Sequence, residues 1–383
     1  MNPSRRLRWD PRPNSLSLAK SAALASGRRL IDLTLSNPTQ AGIAYPDDLL
    51  AALCDRRAMT YQPDAAGLLM TREAVAEYYV GHGAHVHPDQ VILTASTSEA
   101  YHYLFKLLAN PGDEVLIPRP SYPLFDFLAG LELLDTVPYR LSNPDPCNLA
   151  TDRTRALVTV HPNNPTGTGL TVAQAQSLAT RCASLDMVMI ADEVFLDYPV
   201  AGPIPQTMAQ LPDGGPFVLS GLSKVCGLPQ MKLGWMVLTG QVEPAVREGL
   251  ELIADTYLSV SAPIQWAGIE WLRRREEIQS SILNRIAESN LWLRKWTKDH
   301  GVGYNPPEAG WTAVLELPST FDEEVLVMRM LTEYGIVVQP GYFYEFQGLP
   351  RLVVSLLTPS HDLEEGMGGL KAVLSDLLGE ENN

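Results

Sequence analysis

A chain of 383 residues is long enough for two or three domains and a large buried core, and 45% hydrophobic with 19% charged residues is the composition of an ordinary globular protein. Its 44 acidic against 29 basic residues give a formal net charge of −15, which argues against nucleic acid or an anionic membrane surface as the main partner. No stretch reaches the roughly eighteen apolar residues of a membrane span, and the basic start at residues 1–10 is followed by no apolar run that would make it a secretion signal. Cys54, Cys147, Cys182 and Cys226 form no Cys-x-x-Cys pair, so reduced thiols in a cytoplasm are expected rather than a disulfide framework or a zinc site.

Taken in order, residues 14–29 read as a helix with a Ser or Asn cap that closes at Gly27. Residues 30–35 form a short strand and 36–39 a turn, a loop in which Ser36 could line a ligand site or merely connect. A second helix is expected over 47–57, then a Pro/Gly-rich loop at 61–67 that carries Tyr61, then an amphipathic helix over 71–80. His82, His85 and His87 follow at a spacing that invites a metal reading. With no acidic or cysteine partners beside them, solvated loop histidines are expected instead.

From Gln90 the pattern alternates between strand and helix, with β-rich apolar runs at 91–94, 115–117, 135–137, 156–160, 187–190, 217–219 and 235–238. Such near-continuous apolar strands with helical crossovers predict an α/β fold, a mostly parallel sheet covered on both faces, whose ligands bind beyond the carboxyl ends of the strands. Helices are expected at 243–255 and over the long span 264–299. Strands at 311–317, 335–338 and 352–355 between helices then form a smaller α+β unit, and a polar tail closes the chain at 379–383. The division expected is an arm and part of the small domain at 1–46, a large ligand-binding domain at 47–290, and a C-terminal small domain at 291–383.

Chemistry concentrates at the strand ends. Lys224, after the strand at 217–219 and between Ser220, Ser223 and Cys226, could be an amine nucleophile if held in a partly desolvated pocket, or an ordinary solvated lysine. Ser96, Thr97 and Ser98, between a strand and a helix, offer hydroxyls and backbone N–H groups to an anion, although a helix cap explains the serines as well. Asn164 lies in a loop stiffened by prolines and Gly167. Asp192 places a carboxylate at a strand end, where a buried charge is costly unless it meets a cation.

Together these motifs resemble the class I/II aminotransferases of fold type I, which depend on pyridoxal 5′-phosphate (PLP). Tyr61 with Gly67, Ser96 to Ser98, Pro120-Ser-Tyr-Pro123, Asn164-Pro-Thr-Gly167, Asp192-Glu193, Ser223-Lys224 and Arg351 occur in the family's order, from about residue 31 to 355. The resemblance implies a large domain on a mostly parallel seven-stranded sheet beside a smaller α+β domain. It implies a homodimer that moves an amino group between an L-amino acid and a 2-oxo acid by a ping-pong mechanism. Lys224 would hold the cofactor as a Schiff base and shuttle the proton, and Asp192 would pair with the pyridinium nitrogen. Asn164 would bind the phenolic oxygen and Tyr122 would stack on the ring. Ser96, Thr97, Ser98, Ser223 and Lys232 would hold the phosphate, Tyr61 would reach the neighbouring subunit's phosphate, and Arg351, with Asn164 and Ser36, would bind the substrate, the arginine clamping its carboxylate.

Two positions depart from the pattern. Lys232 stands where the family generally has arginine, a point charge in place of a fork, which implies weaker phosphate binding. Phe195 stands where it often has tyrosine, so the phenolic oxygen loses a donor and a higher Schiff-base pKa is expected. A PLP-dependent C–S β-lyase uses the same residues and is the alternative reaction. A non-catalytic PLP-binding regulatory protein is disfavoured, since nothing before residue 30 could form a DNA-binding domain.

Overall fold

Successive residues of each apolar run go to opposite faces of one sheet, and that alternation divides the core in two. The computed structural model describes residues 4, 6–7, 12–202, 204–211, 215–240 and 243–381, so most of the basic start and the end of the polar tail lie outside the described residues.

Helix α1 (Ser15–Ala25) begins at Asn14, whose side chain accepts the Ser17 N–H at 2.8 Å, and stops before Gly27 at φ +76°. The chain continues through β1 (Ile31–Asp32), α2 (Leu69–Gly81), β2 (Val91–Thr94), α3 (Thr97–Leu108), β3 (Glu114–Arg119), α4 (Phe125–Leu131) and β4 (Asp135–Arg140). Next come β5 (Thr154–Val160), α5 (Val172–Ser184), β6 (Val188–Asp192), β7 (Phe217–Gly221), α6 (Leu222–Val225), β8 (Gly234–Leu238) and α7 (Pro244–Tyr257). The remainder holds α8 (Ala262–Arg273), α9 (Arg275–His300), β9 (Gly303–Tyr304), β10 (Thr312–Glu316), α10 (Glu323–Arg329), β11 (Ile336–Val337), β12 (Gln339–Pro340), β13 (Arg351–Ser355) and α11 (Ser360–Glu381).

The seven β-rich runs expected from residue 91 to 238 all enter one seven-stranded sheet, in the order β2-β8-β7-β6-β5-β3-β4. Strands β3 to β7 pair in parallel, and β8 runs antiparallel between β7 and β2. Leu93, Leu116, Leu157, Val218 and Val237 join the core beneath α2, α5, α8 and α9. Their neighbours Ile92, Ile117, Val158, Leu219 and Met236 pack instead with Leu104, Phe105, Leu128 and Leu250 of α3, α4 and α7. Both faces are therefore dry, as a parallel sheet requires.

The α+β remainder is a four-stranded sheet in the order β12-β13-β10-β9. A parallel pairing of β1 with β11 joins the chain's first strand to its last third, with Ile31 opposite Ile336 and Asp32 opposite Val337.

Two helical expectations change. Over 47–57 the chain makes two 3₁₀ turns, Leu49–Cys54 and Arg56–Met59, instead of one α-helix. Asp55 is the cause: it sits extended at φ −67°, ψ 120° and its carboxylate accepts the Arg57 N–H at 2.9 Å, which starts a new turn rather than continuing the old one. The span 264–299 is two helices with a break at Arg274 (φ −97°, ψ 9°), whose guanidinium reaches Asp48 at 3.0 Å and Glu277 at 2.8 Å.

His82 is not a solvated loop histidine either. Its Nε2 lies 3.0 Å from the buried Asp197, which also accepts the Tyr78 hydroxyl at 3.0 Å. His85 and His87 are exposed, as expected.

Candidate active site

The sheet brings the carboxyl ends of β2, β3, β5, β6 and β7 to one side, where the loops that follow them surround a cleft of about 430 Å³. Lys224 stands at its base. β7 ends at Gly221, where a Cβ would come within 2.9 Å of the Leu233 carbonyl oxygen, so only glycine lets β7 and the start of β8 close up before α6 turns away.

The turn carrying the lysine is fixed from three directions. The Tyr198 hydroxyl donates to the Lys224 carbonyl at 2.5 Å, the Tyr45 hydroxyl to the Gly227 carbonyl at 2.6 Å, and the Gln279 amide to the Val225 carbonyl at 2.8 Å. The Lys224 amine lies 5.2 Å from the centre of the Trp311 ring and 5.6 Å from that of Phe195. Burial pushes its pKa below that of an ordinary lysine, and the charge of Asp192 works against that shift. An amine that sheds its proton more readily is a better nucleophile.

Asp192 is the last residue of β6 and is buried. Its carboxylate accepts the Val194 N–H and the Tyr101 hydroxyl, each at 3.2 Å, and no ion pair neutralises it among the described residues. Burial pushes its pKa up to about 6, while the bonds from Val194 and Tyr101 and the charge of Lys224 pull it down. A desolvated carboxylate with no cation at contact distance would be stabilised by one. The protonated ring nitrogen of PLP has the right charge for it.

At the other end, Ser96 caps α3 by accepting the Glu99 N–H at 3.2 Å, with Thr97 and Ser98 in the first turn. All three residues line the cleft, and a helix start rich in hydroxyls is suited to a phosphate. Gly234 lets this helix start close up against β8, since a Cβ there would meet the Ser96 carbonyl carbon at 2.9 Å. Lys232, in the left-handed region at φ +53°, and Ser223 complete this end. Asn164 accepts the Thr312 hydroxyl at 3.4 Å on its amide oxygen, which leaves its NH₂ to donate. Tyr122, Phe195 and Ser36 also line the cleft, and Phe195 packs edge-on against Trp311 at 5.1 Å between ring centres. The buried hydroxyl of Ser121, beside Tyr122, has no hydrogen-bond partner.

Tyr61, expected to serve the neighbouring subunit's site, and Arg351 do not line this cleft. Tyr61 is 79% exposed and borders a separate depression with Ser261 and Gln265. Arg351, the expected substrate clamp, has partners of its own within the chain. Its guanidinium donates to the carbonyls of Gln347 at 2.8 Å and Leu349 at 3.0 Å, lies 3.4 Å from Glu316 and stacks 5.0 Å over Phe346. It therefore faces a neighbouring cavity of about 650 Å³ that it shares with Arg119 and Arg140. On the same strand Leu352 and Val354 join the core, and Val353, Val354 and Ser355 line the cleft.

Several contributors went unnoticed in the sequence. Tyr101 lies one turn beyond Thr97 on α3, a spacing that could have revealed it. Tyr198 and Gln339 had no local signal. Glu193, quoted with Asp192 in the sequence motif, does not line the cleft; it is buried and its pKa is pushed up to about 8 by desolvation, against bonds from Thr207 at 2.6 Å and the Met208 N–H at 2.5 Å.

An α/β sheet with a desolvated lysine and a buried aspartate that has no ion-pair partner among the described residues, and with a helix start suited to an anion at the other end of the cleft, defines the PLP-dependent enzymes of this architecture. The family model of aminotransferase class I and II matches residues 29–367, and the chain belongs to that family. It is a PLP-dependent aminotransferase. It is 29% identical over 364 residues to an alanine aminotransferase of Mycobacterium tuberculosis, covering 88% of this chain and 84% of that protein. It is 26% identical over 371 residues to a glutamate-pyruvate aminotransferase, AlaA, of Haemophilus influenzae, covering 91% and 92%. The fold superposes on an alanine aminotransferase from Pyrococcus furiosus with a TM-score of 0.88 at 24% identity, covering 98% of this chain and 100% of that one. An aspartate aminotransferase double mutant from Thermus thermophilus gives 0.85 at 22% identity, covering 97% and 100%.

Proposed function

We propose that Lys224 is the residue that binds the cofactor covalently and moves the substrate's proton, and that the amino group passes between an L-amino acid and a 2-oxo acid in two half-reactions at this one cleft. The observation that carries the reading is the pairing of a lysine whose pKa is depressed by burial with a buried aspartate that has no ion-pair partner. When bound, PLP supplies an aldehyde carbon and a ring that accepts the electron pair left when the substrate carbon gives up its proton. Asp192 would hold the proton on the ring nitrogen, and Tyr101 would hold Asp192. The start of α3, with Ser96, Thr97, Ser98, Ser223 and Lys232, would bind the phosphate. Asn164 would donate to the phenolic oxygen, Tyr122 would cover one face of the ring, and Phe195 and Trp311 would exclude water from the lysine.

The active form would be a homodimer in the cytoplasm, with Tyr61 completing the neighbouring subunit's site. The exposure of Met59 (87%) and Tyr61 (79%) on one short segment supports a subunit contact there. Cys147 and Cys182, free thiols 3.7 Å apart in the interior, suit a reducing compartment. No helix among the described residues is long and apolar enough to cross a membrane.

Replacing Lys224 by Ala tests the reading. Turnover should fall by at least about 10³-fold, and the absorbance band of covalently held cofactor should vanish. Amino transfer that survives the change would refute the assignment. Incubation with L-cystathionine and no acceptor should release no pyruvate catalytically, which separates transfer from β-elimination.

A further inference from the structure

Two thiols on neighbouring elements meet in the interior, and the cleft uses neither of them. Cys147 lies in the 3₁₀ turn Pro146–Leu149 that follows β4, Cys182 lies in the last turn of α5, and their sulfurs are 3.7 Å apart. An outer clasp keeps them in register. Asp145 accepts the Cys147 N–H at 3.2 Å, and its carboxylate lies 3.8 Å from the guanidinium of Arg181, the residue before Cys182. The same two segments are thus joined by charge near the surface and brought sulfur to sulfur beneath it. The other cysteines are placed differently: Cys54 is exposed, and the buried Cys226 meets the Trp271 carbonyl at 3.4 Å.

Burial alone makes a cysteine inert, but the large cavity beside Arg351 reaches the neighbours of both sulfurs. Gln174 and Leu178 line it from α5, and Cys182 follows them at the next step of four on the same helix face. Pro146, the residue before Cys147, lines it too. A molecule as small as hydrogen peroxide that enters this cavity stops one helical turn from Cys182 and one residue from Cys147. The two thiols are also unequal. The hydrogen bond from Cys182 draws the Cys147 thiol below the usual cysteine range, against the effect of burial, while the same contact and burial push Cys182 up. Oxidants attack thiolates, so Cys147 is the sulfur to react first and Cys182 the one to resolve.

We propose that Cys147 and Cys182 are a modification site, which hydrogen peroxide converts into a reversible disulfide inside the folded protein. The Cys147 thiolate attacks one peroxide oxygen, the O–O bond breaks, and hydroxide leaves as the sulfenic acid forms. Cys182 gives up its proton, attacks that sulfur and displaces the second oxygen as water. Two thiols lose two electrons in all, and one peroxide is reduced to two waters. Bonded sulfurs lie about 2.0 Å apart, so each has to move by less than about 1 Å. The new bond closes the segment 147–182, which holds β5 and the loop of Asn164. Such a cross-link restricts the unfolded chain and stabilises the fold. Neither cysteine lines the cleft, so turnover should survive oxidation.

The test treats the purified holoenzyme with hydrogen peroxide, alkylates the remaining thiols after unfolding and maps the peptides by mass spectrometry. One linkage, Cys147 to Cys182, should appear with the loss of two hydrogens and disappear on reduction with dithiothreitol. The oxidised protein should unfold about 5 °C above the reduced one, and its kcat/KM should stay within about twofold. In Cys182→Ala, Cys147 should stop at the sulfenic acid, trapped by dimedone, with no gain in Tm. Cys54→Ser, which removes the exposed thiol, should leave the linkage and the gain unchanged.

Peroxide that oxidises Cys54 completely yet leaves Cys147 and Cys182 open to alkylation overturns the inference. So does a linkage of either to Cys54, to Cys226 or to a second copy of the chain. The map of the unaltered protein decides the matter even if Cys182→Ala fails to fold. Failure of the aminotransferase reading would be seen in the Lys224→Ala experiment and leaves this site standing.

Discussion

The base of the cleft and the wall facing it are built by different rules. The base is made at the ends of strands in one sheet: Asp192 ends a strand, and Ser96, Asn164 and Lys224 each follow one, with the register set by neighbouring strands. Close backbone approaches at Gly221 and Gly234 hold those ends in place. The wall is assembled from the short strands β12 and β13 and the segment after β1, and its side chains are neutral. Charge is thus concentrated where the cofactor would sit, and the substrate would meet a surface of hydroxyls, amides and apolar side chains.

The strongest way to break this contrast is at the base. Replacing Asp192 by Ala should lower kcat/KM by about 10³-fold, the scale of losing a fixed electrostatic partner. A wall substitution that matched it, measured by the same half-reaction, would show that the division is wrong.

Next, Tyr101→Phe removes a hydroxyl that donates to Asp192 at 3.2 Å and should cost about tenfold in kcat/KM. That bond lowers the aspartate's pKa, so its loss raises it, and the acidic limb of the pH–rate profile should move to higher pH. An unmoved limb would mean that Tyr101 serves packing alone.

On the wall, Gln339→Leu should raise KM for an amino acid by about fivefold, with kcat nearly unchanged. An unmoved KM would mean that this side chain does not meet the substrate. The smallest effect is expected from Lys232→Arg, which should tighten PLP by about threefold, read from the cofactor's dissociation during dialysis.

Much of the base was legible in the sequence because strand ends announce themselves. Near-continuous apolar runs located all seven strands of the main sheet, and Lys224, Asp192 and Asn164 stood at their ends. The wall was harder, because an arginine ahead of a strand reads alike whether it faces a ligand or a rim carboxylate. Only the fold shows that Arg351 turns to Glu316 and that Val353, two residues on, takes the inward place. Asp55 was hidden for a related reason, since an acidic residue in a helical pattern does not reveal that it will cap its own downstream turn. Tyr198 and Gln339 owe their roles to contacts 26 and 5 residues away, with no periodicity to mark them.

The pairing of β1 with β11 has an effect that reaches the wall. Leu33 donates its N–H to the Val337 carbonyl at 2.9 Å and accepts the Ser355 N–H at 2.7 Å, so the segment that carries Thr34 and Ser36 is stitched to both β11 and the end of β13. The leading edge of the polypeptide is therefore a hem on the substrate-facing surface, and trimming it would fray Ser355 together with the residues removed.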